Sequence, residues 1–483
     1  MRKAVRLSIL LFLSLAAAAS SLPQKIDELL ATPAARNAFW GIRIVSLPNG
    51  KTLYEVNSDR LFVPASNTKL FTTSLALTRL GADFTFQTRV TAAGAPDSDG
   101  RIRGDLRLVG GGDPNLSARA IPYHKGPITG DPLSAIHDLA DQIAAHGVRR
   151  IEGNIVGDDS WYAWEPYPPG WSIDDPEYDY GAPVSALTIN DNTITLTVRP
   201  GFREGEPAAL TLNPPREYYT IDNRVRTVAA GGERHIRFHR APASFELQLW
   251  GTIPLHDSGE DLALGMEDPA LYAAQALRDD LESRGIVVVG RAVSDHFLGE
   301  AAGFELAKRV SAPLVEDLRI TDKVSQNLHA ELALRAVGKA RRNEGSRAAG
   351  LDEMKLFLTE IGIEPDSYSL NDGSGLSRAN LVSPAAVVTL LRYMDGSPFN
   401  AAWLSLLPVG GQDGTLDKRF AESPDAARIH AKTGSLAHTS ALSGYAQRKD
   451  GSRLAFSILV NNFNGHTAEV RTLMDRICIL MLE

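Results

Sequence analysis

The sequence predicts an α+β chain of several domains: an antiparallel sheet built from both chain ends, carrying an inserted α/β domain with a small all-β domain nested inside it. Three observations predict this. Strand pairs sit near both termini, two Asp-Pro-led helix–strand segments resemble each other, and the stretch between those segments alternates apolar and polar residues. With 483 residues the chain is too long for one ordinary core.

Near the start, "FWGIRIVSLPNGKTLYEV" reads as two strands joined at Asn49-Gly50, a strong hairpin signal. "PASNTKLFTTSLALTRLG" then reads as a helix that stops at Gly81. At the far end, "SALSGYAQRKDGSRLAFSILVNNF" gives two strands around a turn at Lys449 to Gly451, and a helix carrying Cys478 follows. In the middle, the segments opening at Asp131 and Asp268 each start with an Asp cap and a proline at the first helical position. Each reaches a glycine (Gly147, Gly285) and then a β-rich run, which reads as a repeated helix–strand unit. Residues 187–254 hold the alternating, all-β pattern.

The expected division follows. Residues 1–21 are a leader, 22–90 and 300–483 the outer domain, 91–186 and 255–299 the inserted α/β domain, and 187–254 the nested β domain. The leader has basic Arg2, Lys3 and Arg6, an apolar run to about Leu15 and small residues to Ser21, which is the pattern of a secretory signal peptide. No cysteine follows it, so no lipid attachment is expected. The mature chain is expected to be periplasmic or otherwise extracytoplasmic, soluble or loosely membrane-associated, with no transmembrane anchor after cleavage.

Composition narrows the function. A net charge of −8 argues against a nucleic-acid surface. The single cysteine, Cys478, excludes a disulfide within the chain and a cysteine-ligated zinc site. Its neighbours Val470, Leu473, Met474, Ile477 and Met481 recur at helical spacing, so it reads as a buried structural thiol. No Walker loop, G-x-G-x-x-G, H-E-x-x-H or G-x-S-x-G is present, and neither cofactor nor metal is expected. "HAE" at His329 to Glu331 reads as ordinary helix surface.

Three short motifs remain. Ser66 and Lys69 form the only S-x-x-K, Ser325 and Asn327 form an S-x-N, and Lys432, Thr433 and Gly434 form a K-T-G. Singly they are weak, and Ser369 to Asn371 is a second S-x-N. A serine hydroxyl needs a base before it attacks, and residues three apart on a helix share a face, so Lys69 can reach Ser66. Burial and the second cation Lys432 would lower the pKa of Lys69. Ser325 can relay a proton to a leaving amine. Asn327 can hold a substrate amide, and Lys432 and Thr433 a carboxylate. Gly434 leaves room for a substrate strand along the sheet edge. The amides of Ser66 and Ser435 can form an oxyanion hole. The plainer reading of Ser66, a helix cap, also fits its position.

In order and context the three motifs resemble the set shared by penicillin-binding proteins and β-lactamases. Lys69 and Ser325 lie far apart, which leaves room for the inserted domains and resembles the class C low-mass penicillin-binding proteins, peptidase family S13. "LVGGGDPNLS", "YGAPVSALTINDN", "NDGSGLSRANLVSP" and "LPVGGQDGTLDKRF" are similar to that family as well. The resemblance implies a β-lactamase/transpeptidase-like outer domain, with helices on both faces of its sheet. It implies a serine D-Ala-D-Ala carboxypeptidase or DD-endopeptidase acting on peptidoglycan stem peptides through an acyl-enzyme, with β-lactams as covalent inhibitors. It also implies that Arg378 lines a pocket for the diaminopimelate side chain. An acidic residue of the insert would hold the amine there. Asp158, Asp159 and Glu165, near Trp161, are the candidates, with Asp159 and Trp161 preferred. The alternatives are a β-lactamase or esterase of the same fold, or an inactive wall-binding homologue.

Overall fold

A computed structural model describes residues 21–297, 303–420 and 423–483. The expected leader therefore lies outside the described residues, apart from Ser21.

One five-stranded antiparallel sheet does draw on both chain ends. Its order is Ile429–Leu436, Thr439–Gln447, Arg453–Asn461, Phe39–Ser46, Thr52–Val56. Phe39–Ser46 lies along Arg453–Asn461 with Ile42 opposite Ile458. Gly50 and Gly451 take positive φ at the two predicted turns, and Gly81, also at positive φ, ends the helix Thr68–Leu80. Alternation along each strand feeds two cores. Leu442, Ala446, Phe456 and Ile458 face the terminal helix Thr467–Met481, where Cys478 is buried. Ala441, Tyr445, Ala455 and Leu459 face the core that holds Leu70, Phe71 and Leu75 of the Ser66 helix. Each fully buried Leu, Ile or Phe among them contributes roughly 1.5–3 kcal/mol. Two-sided burial makes this sheet a rigid floor for whatever its edge strand carries.

The chain leaves this body at Phe86 and returns at Ser311. Phe86 N donates to Ser311 Oγ (2.9 Å), and Ser311 N donates to Phe86 O (3.0 Å). Between them lies a second five-stranded sheet, ordered Ala292–Asp295, Ile155–Asp158, Leu106–Val109, Gln87–Ala92, Phe304–Val310. The repeated units lie side by side in it. Ile155 pairs with Ala292 and Asp158 with Asp295, so each residue meets its counterpart in the other copy. Their helix starts differ. Asp268 caps Pro269–Ser283 by accepting from Leu271 N (2.9 Å). Asp131 instead accepts from Leu133 N in a turn, and that helix begins only at Ser134.

The nested β unit consists of two three-stranded sheets. Its expected end at Pro254 is too early, because Glu260–Gly265 pairs with Thr193–Arg199. The expected outer boundaries at 90 and 300 also shift. Gln87–Ala92 and Phe304–Val310 pair with each other inside the insert's sheet, with Val90 opposite Ala307. A short strand's alternation shows that it is half-buried, not which sheet buries it. We place the insert at 87–310 and the β unit at 193–265.

Candidate active site

Ser66 lies in a short 3-10 turn, Ala65–Asn67, that runs directly into the helix Thr68–Leu80. It is the cap residue of neither, since Pro64 and Asn67 hold those positions. Its Oγ instead lies within hydrogen-bond distance of Lys69 Nζ, at 3.0 Å. Lys69 is fully buried and donates to two further oxygens, Asn327 Oδ1 and Ser374 O, both at 2.6 Å. Burial first, and the nearby Lys432 cation second, hold its pKa well below the usual lysine value. The two N–H groups of a neutral amine are taken up by Asn327 Oδ1 and Ser374 O, which leaves its lone pair for the Ser66 hydroxyl and suits a base that takes that proton.

Ser325 precedes the helix Asn327–Arg342 and takes φ +64°, a conformation uncommon for a residue with a Cβ. Lys432 Nζ donates to Ser325 Oγ at 2.8 Å. Lys432 is fully buried, and desolvation lowers its pKa while the Asp322 carboxylate opposes that shift. Asn327 is held from both ends, since its Nδ2 donates to Tyr180 O (2.8 Å) in the insert. All three motifs therefore converge around Ser66.

Gly434 has a reason that the sequence did not suggest. A Cβ there would lie 2.7 Å from Pro64 O and 3.1 Å from Asn67 N. The glycine lets the edge strand Ile429–Leu436 press against the Ser66 turn, and Asn67 Nδ2 ties the two together through Lys432 O (3.0 Å). Thr433 Oγ1 donates to Thr415 Oγ1 (2.8 Å), and Ser435 Oγ accepts from Arg471 (2.9 Å).

Several supports escaped sequence reading. Asp322, fully buried, accepts from Thr73 Oγ1 (3.1 Å), and desolvation raises its pKa against the pull of Lys432 and Lys69. The "HAE" segment is not surface: His329 and Glu331 are fully buried. Glu331 Oε1 accepts from Gly373 N (2.8 Å) and Ser374 N (2.9 Å), fixing the turn whose Ser374 carbonyl meets Lys69. His329 Nε2 lies 3.1 Å from Asp191 Oδ1 and its Nδ1 2.7 Å from Asp317 Oδ1. Gln326, between the two motif residues, donates to Asp191 Oδ2 (3.1 Å) and caps the helix by accepting from Leu328 N (2.9 Å). Asp191 also binds Arg119, so the insert grips the Ser325 limb through buried charge. A helix period places His329 and Glu331, but their partners come from distant segments that carry no local signature.

Two cavities meet at Ser66. One, of about 760 Å³, is lined by Ser66, Ser325, Thr433, Gly434 and Ser435 and extends to the terminal helix. The other, of about 360 Å³, is lined by Ser66, Asn327, Ser435, Arg378, Tyr180 and Asp175. Arg378 lines this second cavity and also donates to Ala437 O (3.2 Å). Trp161 and Asp159 are not at either cavity. Trp161 lies under Lys339 Nζ, 4.3 Å from its ring centre. Asp159 accepts from Ser185 Oγ (2.7 Å) and lies 2.9 Å from His296 Nδ1. Asp158 is paired with Arg107 (2.7 Å), and Glu165 accepts from Arg347 N (3.1 Å). The acid that the insert brings to the cavity is Asp175, buried beneath it, whose pKa burial raises and Arg378 draws down.

The D-Ala-D-Ala carboxypeptidase 3 (S13) family matches residues 22–480. The chain belongs to that family. A D-alanyl-D-alanine carboxypeptidase of Actinomadura sp. (strain R39) is 35% identical over 458 residues, covering 92% of this chain and 82% of the relative. D-alanyl-D-alanine carboxypeptidase DacB of Haemophilus influenzae is 24% identical, covering 88% and 86%. Penicillin-binding protein 4 (dacB) from Haemophilus influenzae superposes with a TM-score of 0.82 at 23% identity, over 95% of this chain and 99% of that one. A second structure of it, complexed with a β-lactam, gives 0.76 at 22% identity. The α+β fold expected from sequence is therefore that of this family. No helix among the described residues is long and apolar enough to cross a membrane.

Proposed function

We propose that this S13 peptidase removes the terminal D-Ala of peptidoglycan stem peptides, or cleaves the equivalent cross-link, through an acyl-enzyme on Ser66. The observation that carries the reading is the 3.0 Å approach of buried Lys69 Nζ to Ser66 Oγ, with Asn327 Oδ1 and Ser374 O as the acceptors of its two N–H groups. Lys69, neutral in the resting site, takes the Ser66 proton as Oγ attacks the carbonyl carbon. The amides of Ser66 and Ser435 receive the developing oxyanion. Ser325, hydrogen-bonded to Lys432, passes a proton to the leaving amine. Water then hydrolyses the ester. A β-lactam follows the first half of this path and stays attached.

Fluorescent penicillin tests the reading. Wild type takes a covalent label and Ser66→Ala takes none, and mass analysis of digested peptidoglycan shows loss of D-Ala or of cross-links. Rapid repeated hydrolysis of penicillin would identify a β-lactamase instead, and an unlabelled wild type an inactive homologue.

Arg378 and Asp175 support recognition of a stem-peptide side chain that ends in both a carboxylate and an amine, as diaminopimelate does. Asp175→Asn is expected to lower kcat/KM for such a peptide by roughly 10- to 100-fold, the worth of one charge-assisted bond. A peptide whose side chain lacks the amine should lose little. Equal losses on the two peptides would refute the assignment. Extracytoplasmic placement accords with this substrate.

A further inference from the structure

The larger cavity runs away from Arg378 and Asp175, past Ser325 and Thr433, toward the terminal helix. In the mechanism above, Ser325 faces the departing amine, so this cavity receives the leaving residue. Its far wall is cationic: Arg471 and Arg476 on the terminal helix, with Lys418 and Arg419 opposite, against the single acid Asp475. Arg419 occupies that acid in an ion pair. Arg471 has no carboxylate within ion-pair distance among the described residues, and its guanidinium donates to Ser435 Oγ at 2.9 Å.

That bond has a chemical consequence. A hydroxyl oxygen that accepts from a guanidinium keeps its own proton free to donate. Ser435 and Arg471 together thus present a polarised hydroxyl backed by a full positive charge, on the same strand edge as Thr433. Such a pair matches a carboxylate oxygen. It lines the same cavity as Ser325, on the side toward which the amine departs.

We propose that Arg471, acting with Ser435, binds the free carboxylate of the leaving residue and sets the preference for substrates that end in one. The proposal rests on the carboxypeptidase reading of Ser66. It extends recognition from the edge strand to the terminal helix, a segment outside the three motifs.

The test compares an acyl-D-Ala-D-Ala peptide with its C-terminal amide. Wild type should favour the free acid in kcat/KM. Arg471→Gln should reduce the acid-to-amide ratio by about tenfold or more, and Arg471→Lys, which keeps charge without the fork, by less. A ratio unchanged in Arg471→Gln overturns the proposal, whether both rates hold or both fall together as in a folding defect. If the wild type is not labelled by penicillin and cleaves neither peptide, the carboxypeptidase reading fails first and this one with it.

Discussion

Lys69→Met is expected to slow penicillin acylation of Ser66 by roughly 10²–10⁴-fold, the range for a lost general base. The substitution keeps volume and removes an amine that burial already disfavours as a cation. It also strands Ser374 O and Asn327 Oδ1 without that donor. Those unpaired acceptors cost about 1–3 kcal/mol each, offset by relief from burying the amine. The melting temperature should therefore move only a few degrees while the rate collapses. Rapid-quench labelling beside thermal denaturation separates the two. A variant within tenfold of wild type would remove Lys69 from the role of base. The same burial sets a pH dependence. Acylation should fail on the acidic side as Lys69 gains its proton, at a pH below the ordinary lysine range.

Asp191→Asn is expected to destabilise the protein by about 3–5 kcal/mol, because it leaves half-buried Arg119 and fully buried His329 without the charge they share. Asparagine suits the left-handed backbone at position 191 (φ 55°), so the effect would be electrostatic. His329, fully buried between two carboxylates, has its pKa raised to about 9. A raised histidine pKa contributes stability that is fully present below its unfolded value of roughly 6.5 and is lost as pH rises through about 9. In wild type that contribution reaches about 3 kcal/mol. The Asp191 carboxyl is held below its usual range, so its share is present above roughly pH 4 and is lost in acid. Urea midpoints at pH 6 and pH 9.5 measure the histidine part. The drop between them should be clear in wild type and smaller in Asp191→Asn, where Asp317, the larger source of the raised pKa, still faces the ring. An equal drop in both would show that Asp191 does not hold the imidazolium.

The three motifs were legible because acyl-transfer chemistry demands particular side chains at fixed local spacings, and Ser66–Lys69 is one helical turn. Gly50 and Gly451 were legible because each turn needs a positive φ. The supports were not, because their partners are remote: Asp322 meets Thr73, Glu331 meets the 373–374 turn, and His329 meets Asp191. Asp159 and Trp161 were misjudged through their neighbourhood. The family resemblance called for an acid from the insert without fixing which one, and Asp159 is held by His296 and Ser185. Asp175, farther along the same loop region, reaches the cavity instead. Its local sequence, "DDPEYDY", reads equally well as a turn.

The staple between Phe86 and Ser311 means that the polypeptide comes back to the point it departed from. Two adjacent crossings are easy to join, so a short splice could delete everything between them without unthreading the body. Such a deletion would keep Ser66, Lys69 and the sheet, but it would take away Tyr180 O from Asn327, Asp191 from His329 and Asp175 from the smaller cavity. The excursion is thus a replaceable cassette by connectivity and a working wall of the site by chemistry. Exchanging it between relatives would be a route to new peptide selectivity that leaves the nucleophile's own scaffold unaltered.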